Sequence, residues 1–308
     1  MRAPLAVAAA AVVGTGAVAG AAATGYAIWE ARQHTLRRVR VPILPPGAAD
    51  VAVLHISDLH LTGRTQARRD WVAGLAVLEP DLVIATGDFL SAADGVAEVA
   101  SALAGLLDRP GAFVFGSNDF FGARPINPAK YFAGPSKVAH HKVLLPTDEL
   151  RQVLASGGWL DLNNAAGELL LGDVAVALRG VCDPHIWRDR YRLVAGAWPT
   201  DAQVRLGVSH APYLRVLDAM ADDGADLILA GHTHGGQVCL PGFGALVTNC
   251  DLDRHRVKGL SRHDGAYLHV SAGLGTNPYT PIRVACRPEA TLLTLTAGGG
   301  RPHDAEAP

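Results

Sequence analysis

The sequence predicts an α/β protein in which two mixed β-sheets pack together with helices on the outside. Short apolar runs alternate with amphipathic segments between residues 51 and 115, as in parallel strands joined by helices. Hairpin-like runs in the second half add antiparallel strands. Metal-binding residue types follow several of these apolar runs. Because loops at the carboxyl ends of parallel strands collect functional groups, we expect a site at that edge.

The first half of the predicted domain contains three strand and helix units. Strands are expected at residues 51–56, 81–85 and 112–115. One helix is expected at residues 66–79, where Pro80 ends it, and another at residues 92–107.

The second half mixes strand directions. We expect a helix at 147–156, a short strand at 160–162 and a hairpin of strands 168–171 and 174–181, since Gly172-Asp173 suits a tight turn. Further elements are a strand at 204–208, a helix at 213–221 and closing strands at 267–270 and 290–296. No internal repeat is evident.

Residues 1–46 are expected to form a membrane anchor and a linker. The stretch from Ala3 to Trp29 carries no charged side chain, so it is long enough to cross a bilayer as one helix. A cleaved export signal is the alternative. The downstream flank is the more positive one, which favours a cytoplasmic catalytic domain; its arginines are Arg32, Arg37, Arg38 and Arg40. Prolines and a glycine over residues 42–47 indicate the linker.

The globular part is expected at residues 47–297, with a disordered tail at 298–308. The net charge of −2 and the lack of a long basic or aromatic stripe make extended nucleic acid an unfavourable partner. Four cysteines occur without a CxxC pair, which excludes a zinc ribbon. No protein partner is evident from the sequence.

Carboxylates and imidazoles follow the apolar runs in an ordered series. The series consists of Asp58, His60, Asp88, His210, His232 and His234, with the element Gly116-Ser117-Asn118-Asp119 between its two halves. This ligand set has no thiolate, so it suits Mn, Fe, Zn or similar divalent ions in a reactive site. Two adjacent ions need a bridging group, and we assign Asp88 to that position because a carboxylate can bind both.

These motifs resemble those of the calcineurin-like metallophosphoesterases over about residues 50–297. The resemblance rests on Ser57-Asp58-Leu59-His60, Gly87-Asp88, the Gly116 element, His210 and Gly231-His232-Thr233-His234. It implies a four-layer sandwich of two mixed sheets flanked by helices, and two divalent metal ions as cofactors. The N-terminal apolar segment resembles the membrane-associated bacterial branch of the family.

The resemblance also implies a role for each motif residue. Asp58, His60 and His234 would hold the first metal, and Asp88 would bridge both metals. His210, His232 and Asn118 would hold the second metal. The catalytic group would comprise Asp58, Asp88, Asn118 and His232.

The Gly116 element departs from the family pattern GNHD because it reads GSND. Ser117 stands at the ligand position and Asn118 at that of the histidine beside the substrate. We favour Asn118 as the ligand because an amide oxygen binds a metal better than a hydroxyl; Ser117 or water is the alternative. Four other histidines are candidate replacements for the missing proton donor: His140, His141, His185 and His255.

The implied activity is hydrolysis of a phosphodiester or pyrophosphate bond by in-line attack of a hydroxide that bridges the metals. The substrate would be a phosphorylated small molecule or lipid, including a nucleotide-sugar lipid of the UDP-diacylglucosamine type.

Two features are candidate phosphate contacts: a cationic loop at residues 123–146 and Arg283. The alternatives are an ordinary solvated loop and a surface salt bridge, respectively. A metal-stabilised membrane scaffold with little turnover is the alternative function, since GNHD is altered.

Overall fold

Two six-stranded sheets form the centre of the protein in a computed structural model that describes residues 20–125 and 143–298. The strands, in chain order, are β1 (Thr35–Leu44), β2 (Val51–Ile56), β3 (Leu82–Ala85), β4 (Gly111–Phe113), β5 (Leu160–Asp161), β6 (Ala165–Leu171), β7 (Val174–Val181), β8 (Val204–Ser209), β9 (Leu227–Ala230), β10 (Cys239–Leu240), β11 (Gly244–Ala245), β12 (Gly259–His263), β13 (Ala266–Val270) and β14 (Glu289–Ala297).

Both large sheets are mixed. The first has the order β1-β14-β2-β3-β4-β5, with β14 and β2 antiparallel and the other neighbours parallel. The second has the order β12-β13-β9-β8-β7-β6, with parallel pairs in its middle and an antiparallel pair at each edge. Strands β10 and β11 form a separate small hairpin.

Helices cover the outer face of each sheet. The α-helices of the described residues are α1 (residues 20–30), α2 (Gln66–Ala73), α3 (Gly95–Leu103), α4 (Ser117–Phe120), α5 (Thr147–Ser156) and α6 (Leu214–Asp222). Apolar residues of α2, α3 and α5 share one core with the first sheet, and those of α6 share another with the second sheet. A third core contains side chains from both sheets, such as Ile84 and Leu206. This arrangement confirms the predicted four-layer sandwich.

Most of the predicted elements lie where the sequence placed them and differ at their ends, whereas strands β1, β10, β11 and β12 were not predicted. The helix expected at 66–79 is α-helical only to Ala73 and continues as a tight 3-10 segment, Gly74–Leu78. Glu79 ends that segment in the left-handed region at φ 45°. The helix expected at 92–107 is limited to Gly95–Leu103. A glycine within each predicted helix lowers helical propensity and allows the boundary to shift.

Strand β1 lies within the stretch that the sequence indicated as a linker. It pairs in parallel with β14 at the edge of the first sheet, and its Val41, Ile43 and Leu44 side chains are buried. Pro42 is compatible with this position because an edge strand needs only one side of its hydrogen-bonding pattern. The prolines indicated a break in the chain, although buried and exposed side chains alternate toward the end of β1 as in a strand.

Only the end of the predicted membrane anchor belongs to the described part of the chain. Residues 1–19 lie outside it, and residues 20–30 form α1. Among the described helices, none combines the length and the apolar character that a bilayer crossing requires. Helix α1 ends against the globular part, where Ala27, Glu30 and Ala31 are buried. The predicted tail lies outside the described residues from position 299 onward.

Candidate metal centre

The predicted ligands lie just beyond the carboxyl ends of parallel strands from both sheets. Asp58 and His60 follow β2, Asp88 follows β3, and His210 follows β8. Asn118 lies in α4 after β4, and the two remaining histidines follow β9. Because the two sheets pack face to face, these strand ends meet at one edge of the sandwich.

Two clusters of potential metal ligands result. The first cluster is Asp58, His60 and His234, and the second cluster is Asp58, Asp88 and His210; within each, the ligand atoms lie within 4.8 Å of one another. The Nε2 atoms of His60 and His234 are 3.3 Å apart. The Asp88 Oδ2 atom is 3.6 Å from Nε2 of both His60 and His210, so this carboxylate of the second cluster also approaches a histidine of the first. The position suits the bridging role predicted for Asp88.

Backbone carbonyls fix the tautomers of two of these histidines. The Nδ1 atom of His234 is 3.0 Å from the Gly275 carbonyl oxygen, and Nδ1 of His210 is 2.6 Å from that of Thr86. A carbonyl oxygen can only accept, so each Nδ1 carries the hydrogen. In the neutral form of each ring, Nε2 is then the nitrogen that carries the lone pair, as a metal ligand requires.

Unpartnered buried atoms show that the cluster fits cations. Within the described residues, Asp58 Oδ1 and His210 Nε2 are buried without a hydrogen-bond partner. The other Asp58 oxygen is held by the Ser57 hydroxyl at 2.6 Å and the His232 N–H at 3.1 Å. Buried polar atoms without partners are costly unless a ligand or an ion satisfies them. The Asp58 oxygen, and His210 Nε2 once its ring is neutral, are acceptors of the kind that divalent metal ions bind.

The first cluster favours neutral imidazoles. Burial lowers the pKa of His60 well below its usual range, and the neighbouring His234 adds to this shift. Burial and the Arg283 guanidinium lower the pKa of His234 to about 3. Burial raises the pKa of Asp58 to about 6, and the Asp88 carboxylate contributes to that shift. At neutral pH these groups present the forms that bind a metal.

The second cluster has a different charge state. Burial opposes the charged form of His210, but the carboxylates of Asp88, Asp183 and Asp58 outweigh it and raise the pKa of His210 to about 9. Without a cation, His210 therefore carries a proton at neutral pH. A metal ion binding here has to displace that proton.

The backbone at the cluster is strained. Asp58, His60, Asp88, His232 and His234 all have φ between 45° and 69°, a region that non-glycine residues rarely adopt. Such conformations concentrate at functional sites, where the surrounding structure enforces them. Gly231 permits close packing here, since a Cβ atom at this position would overlap the side chains of Ser57 and Asp58. The strain shows that packing holds these side chains in the cluster.

The altered GSND element brings Asn118, rather than Ser117, to the Asp88 carboxylate. The Asn118 backbone N–H and its side-chain Nδ2 each lie 2.7 Å from an oxygen of Asp88. Ser117 forms the first residue of the short helix α4. Asp119 anchors this segment because its carboxylate accepts four backbone N–H groups, those of Asp88, Phe89, Leu90 and Gly116.

His232 lies beside the second cluster but outside its ligand group. Its ring centroid is 5.1 Å from that of His210 and 4.5 Å from that of His185. Its Nε2 atom is 3.2 Å from both the carbonyl oxygen and the side-chain nitrogen of Asn249. Its role as second-metal ligand stays a prediction, and Nδ1 is the ring nitrogen left for that role.

Arg283 does not have either of the roles suggested by the sequence. It is fully buried, so it is neither a surface salt-bridge residue nor an exposed phosphate contact. One guanidinium nitrogen donates to the carbonyl oxygens of Ala272, Gly273 and Gly275 at 2.7, 3.0 and 2.8 Å. Since Gly275 accepts from His234, Arg283 is a positioning residue for the first cluster.

Several residues of the site were missed by sequence reasoning. Asp183 is fully buried directly after β7, and one of its carboxylate oxygens has no partner among the described residues. Burial, together with Asp88, raises its pKa to about 7. The rule that strand ends carry the site would have found Asp183, since its strand was predicted correctly. Asn249 lies in an irregular segment and gave no comparable signal.

The four histidines proposed as replacements for the missing proton donor differ in their position relative to the metal centre. Within the described residues, His185 contacts the site through His232, whereas His255 is exposed on a different loop. His140 and His141 lie outside the described residues. Most of the cationic loop predicted at 123–146 also lies there, between positions 126 and 142.

The fold and the carboxylate and imidazole cluster together define a hydrolase with two metal ions. A family model described as calcineurin-like phosphoesterase matches residues 51–236, more than half of the chain. The chain therefore belongs to the calcineurin-like phosphoesterases, as the motifs predicted. It is a metal-dependent phosphoester hydrolase, and its cofactors are two divalent metal ions.

Similar proteins occur in bacteria and animals. The chain is 28% identical to the uncharacterized metallophosphoesterase YkoQ of Bacillus subtilis, over 80% of this chain and 84% of that protein. It is 26% identical to the phosphodiesterase YaeI of Escherichia coli, over 84% and 87%. A transmembrane protein with a metallophosphoesterase domain from Bos taurus is 27% identical, over 87% of this chain and 58% of that protein.

Proposed function

We propose that the chain hydrolyses a phosphodiester or pyrophosphate bond at this cluster. Asp58, His60 and His234 would hold the first ion, and Asp88 would serve both ions. His210, His232 and Asn118 would hold the second ion. When bound, the two ions supply Lewis-acid polarisation of the phosphoryl group and an activated water at neutral pH.

The convergence of unpartnered acceptor atoms supports this proposal most strongly. Asp58 Oδ1 and His210 Nε2 are buried without partners in the described structure, and Asp88 lies between His60 and His210. The protein residues hold these acceptors fixed. Ser57 and the His232 N–H orient Asp58, while Asn118 orients Asp88. Such preorganisation lowers the reorganisation needed in the transition state.

For the substrate, we propose a lipid-linked phosphodiester or pyrophosphate, including a nucleotide-sugar lipid of the UDP-diacylglucosamine type. The uncharged stretch from Ala3 to Trp29 supports a membrane location, because its length suits a bilayer-spanning helix. The name of the E. coli relative supports diester rather than monoester hydrolysis. The name of the bovine relative supports membrane attachment.

The proposed organisation is an anchor and linker at residues 1–46, a catalytic domain at 47–297 and a disordered tail at 298–308. The arginines that follow the apolar stretch favour a catalytic domain on the cytoplasmic side. Cell fractionation tests the membrane anchor, and protease accessibility tests the side on which the catalytic domain lies. Digestion of the catalytic domain from the outer side of intact cells would contradict the cytoplasmic assignment.

The activity test uses the metal-loaded full chain with bis(4-nitrophenyl) phosphate as diester and 4-nitrophenyl phosphate as monoester. We expect faster turnover of the diester, and a loss of about 10³-fold or more in Asp88→Ala, since this carboxylate lies 3.6 Å from a histidine of each cluster. The control is Asp173→Ala, at an exposed hairpin turn. A lipid-linked pyrophosphate in mixed micelles, compared with its soluble headgroup, tests the substrate class.

A metal-stabilised membrane scaffold is the second candidate function. The alteration of the family pattern to Gly116-Ser117-Asn118-Asp119 favours it, because the histidine beside the substrate is absent. Binding of two metal ions without turnover of any phosphoester would support the scaffold and contradict the hydrolytic proposal.

A further inference from the structure

The small hairpin β10–β11 presents an apolar tip to solvent. Leu240 is 48% exposed and Phe243 is 44% exposed, and Pro241 and Gly242 between them are exposed as well. The first strand of the hairpin is tied to the protein by Cys239, whose N–H donates to the Val284 carbonyl oxygen at 2.9 Å. The tip is therefore a fixed apolar surface rather than part of a core.

A cavity of about 320 Å³ with a basic wall lies beside this tip. Arg254, His255 and Lys258 line the cavity, and the Arg254 guanidinium carbon lies 4.0 Å from the centre of the Phe243 ring. Asp253 is the nearby acid, and its carboxylate accepts from the His255 N–H. In the described part of the chain, Arg254 and Lys258 form no ion pair. The wall therefore has positive charge available for an anion.

Helix α1 ends at the same side of the protein. Ala285 lines the cavity, and its N–H donates to the Glu30 carboxylate at 3.0 Å. In the turn that ends at Glu30, Tyr26 and Trp29 are about half exposed, with ring centres 5.6 Å apart. Exposed aromatic pairs of this kind are typical of the membrane interface. The apolar tip, the basic cavity and the exposed aromatic pair thus belong to one region.

We propose that this region is a docking surface for an anionic phospholipid bilayer, with a phosphate-bearing lipid headgroup in the basic cavity. Leu240 and Phe243 enter the boundary between headgroups and acyl chains, and Arg254 and Lys258 contact lipid phosphates. Charge complementarity and the continuity with α1 select a bilayer as the occupant. This inference rests on the membrane association proposed above and adds a second contact to it.

Docking at this surface would orient the metal centre toward the membrane. Gly235 lines the cavity and directly follows His234 of the first cluster. The Gly235 carbonyl oxygen also accepts from the thiols of Cys239 and Cys286, at 3.2 and 3.5 Å. The hairpin and the His234 loop are thus packed as one unit, so a docked hairpin fixes the distance between the cluster and the bilayer.

The test measures amide hydrogen exchange of residues 239–246 in the full chain bound to vesicles. We expect slower exchange with phosphatidylglycerol vesicles than with phosphatidylcholine vesicles. Removing both charges in Arg254→Gln/Lys258→Gln should lower the docked population about 30-fold, because each cation near an anionic surface stabilises docking. The matched control is Arg64→Gln/Arg192→Gln, at two exposed arginines elsewhere.

A second pair of variants tests the insertion of apolar side chains into the bilayer separately from the effect of the charges. Leu240→Ser/Phe243→Ser should remove the protection, whereas Leu193→Ser, at another exposed leucine, should retain it. Equal exchange in both lipids, or equal protection by inorganic phosphate without vesicles, would overturn the proposal. Protection that depends on protein concentration would assign the surface to a second copy of the chain instead. Failure of the full chain to remain with vesicles would instead contradict the proposed anchor.

Discussion

The two sides of the metal centre differ in how completely the protein prepares them for an ion. On the first side, His60 and His234 are held neutral, with their Nε2 atoms 3.3 Å apart. On the second side, His210 carries a proton and Nε2 of His232 lies against Asn249. The first side is therefore ready for a cation, whereas the second side must release a proton. Both sides use carboxylates and imidazoles, but their histidines differ in protonation before a metal ion binds.

The largest expected effect concerns the anchor of the second side. Asp119→Ala leaves four buried backbone N–H groups without their acceptor, so the free energy of unfolding should fall by about 4 kcal/mol or more. Asp119→Asn should lose less because it keeps one oxygen acceptor. Chemical denaturation checks this, with Asp173→Ala as the exposed control. A drop no larger than that of the control would show that α4 does not depend on Asp119.

The next effect concerns the support of the first side. Arg283→Met removes the donor that orients the Gly275 carbonyl, so affinity for the first ion should fall about 10–100-fold. Arg283→Lys should restore part of the affinity, since it keeps the charge and a donor. Calorimetric metal titration separates the two ions. Equal weakening of both ions, or no rescue by lysine, would indicate a general structural role.

The altered element offers a sharper comparison of Ser117 with Asn118. Asn118→Ala removes the side-chain contact with Asp88, so activity should fall about 10–100-fold. Ser117→Ala should change the activity little. The measurement is kcat/KM on a diester at saturating metal. The opposite order would assign the second-metal position to Ser117.

The pH dependence of metal binding should also distinguish the two sides. A proton competes with the second ion below the His210 pKa of about 9, so its affinity should rise about tenfold per pH unit from neutral pH toward 9. Binding of the first ion should level off above the Asp58 pKa of about 6. Metal titrations at several pH values check this. Parallel pH profiles for both ions would remove the distinction.

Much of the fold could be predicted because its strands are short, apolar and regularly separated by helices. The site could be predicted because its ligands follow those strands directly. Arg283 could not be interpreted correctly because its acceptors are backbone carbonyls, which any sequence provides. The end of strand β1 was taken for a linker because Pro42 and the two prolines after the strand resemble a break, and only the pairing with β14 shows the strand.

The sequence by itself determined the four-layer fold, the family and the candidate metal ligands, since these depend on local periodicity and on residue types at strand ends. Only the tertiary structure decided that Asp88 lies between His60 and His210 and that Asn118 contacts this carboxylate. It also decided the different charge states of the two sides. The physical reason is that burial and neighbouring charges set a pKa, and both arise when distant segments pack together.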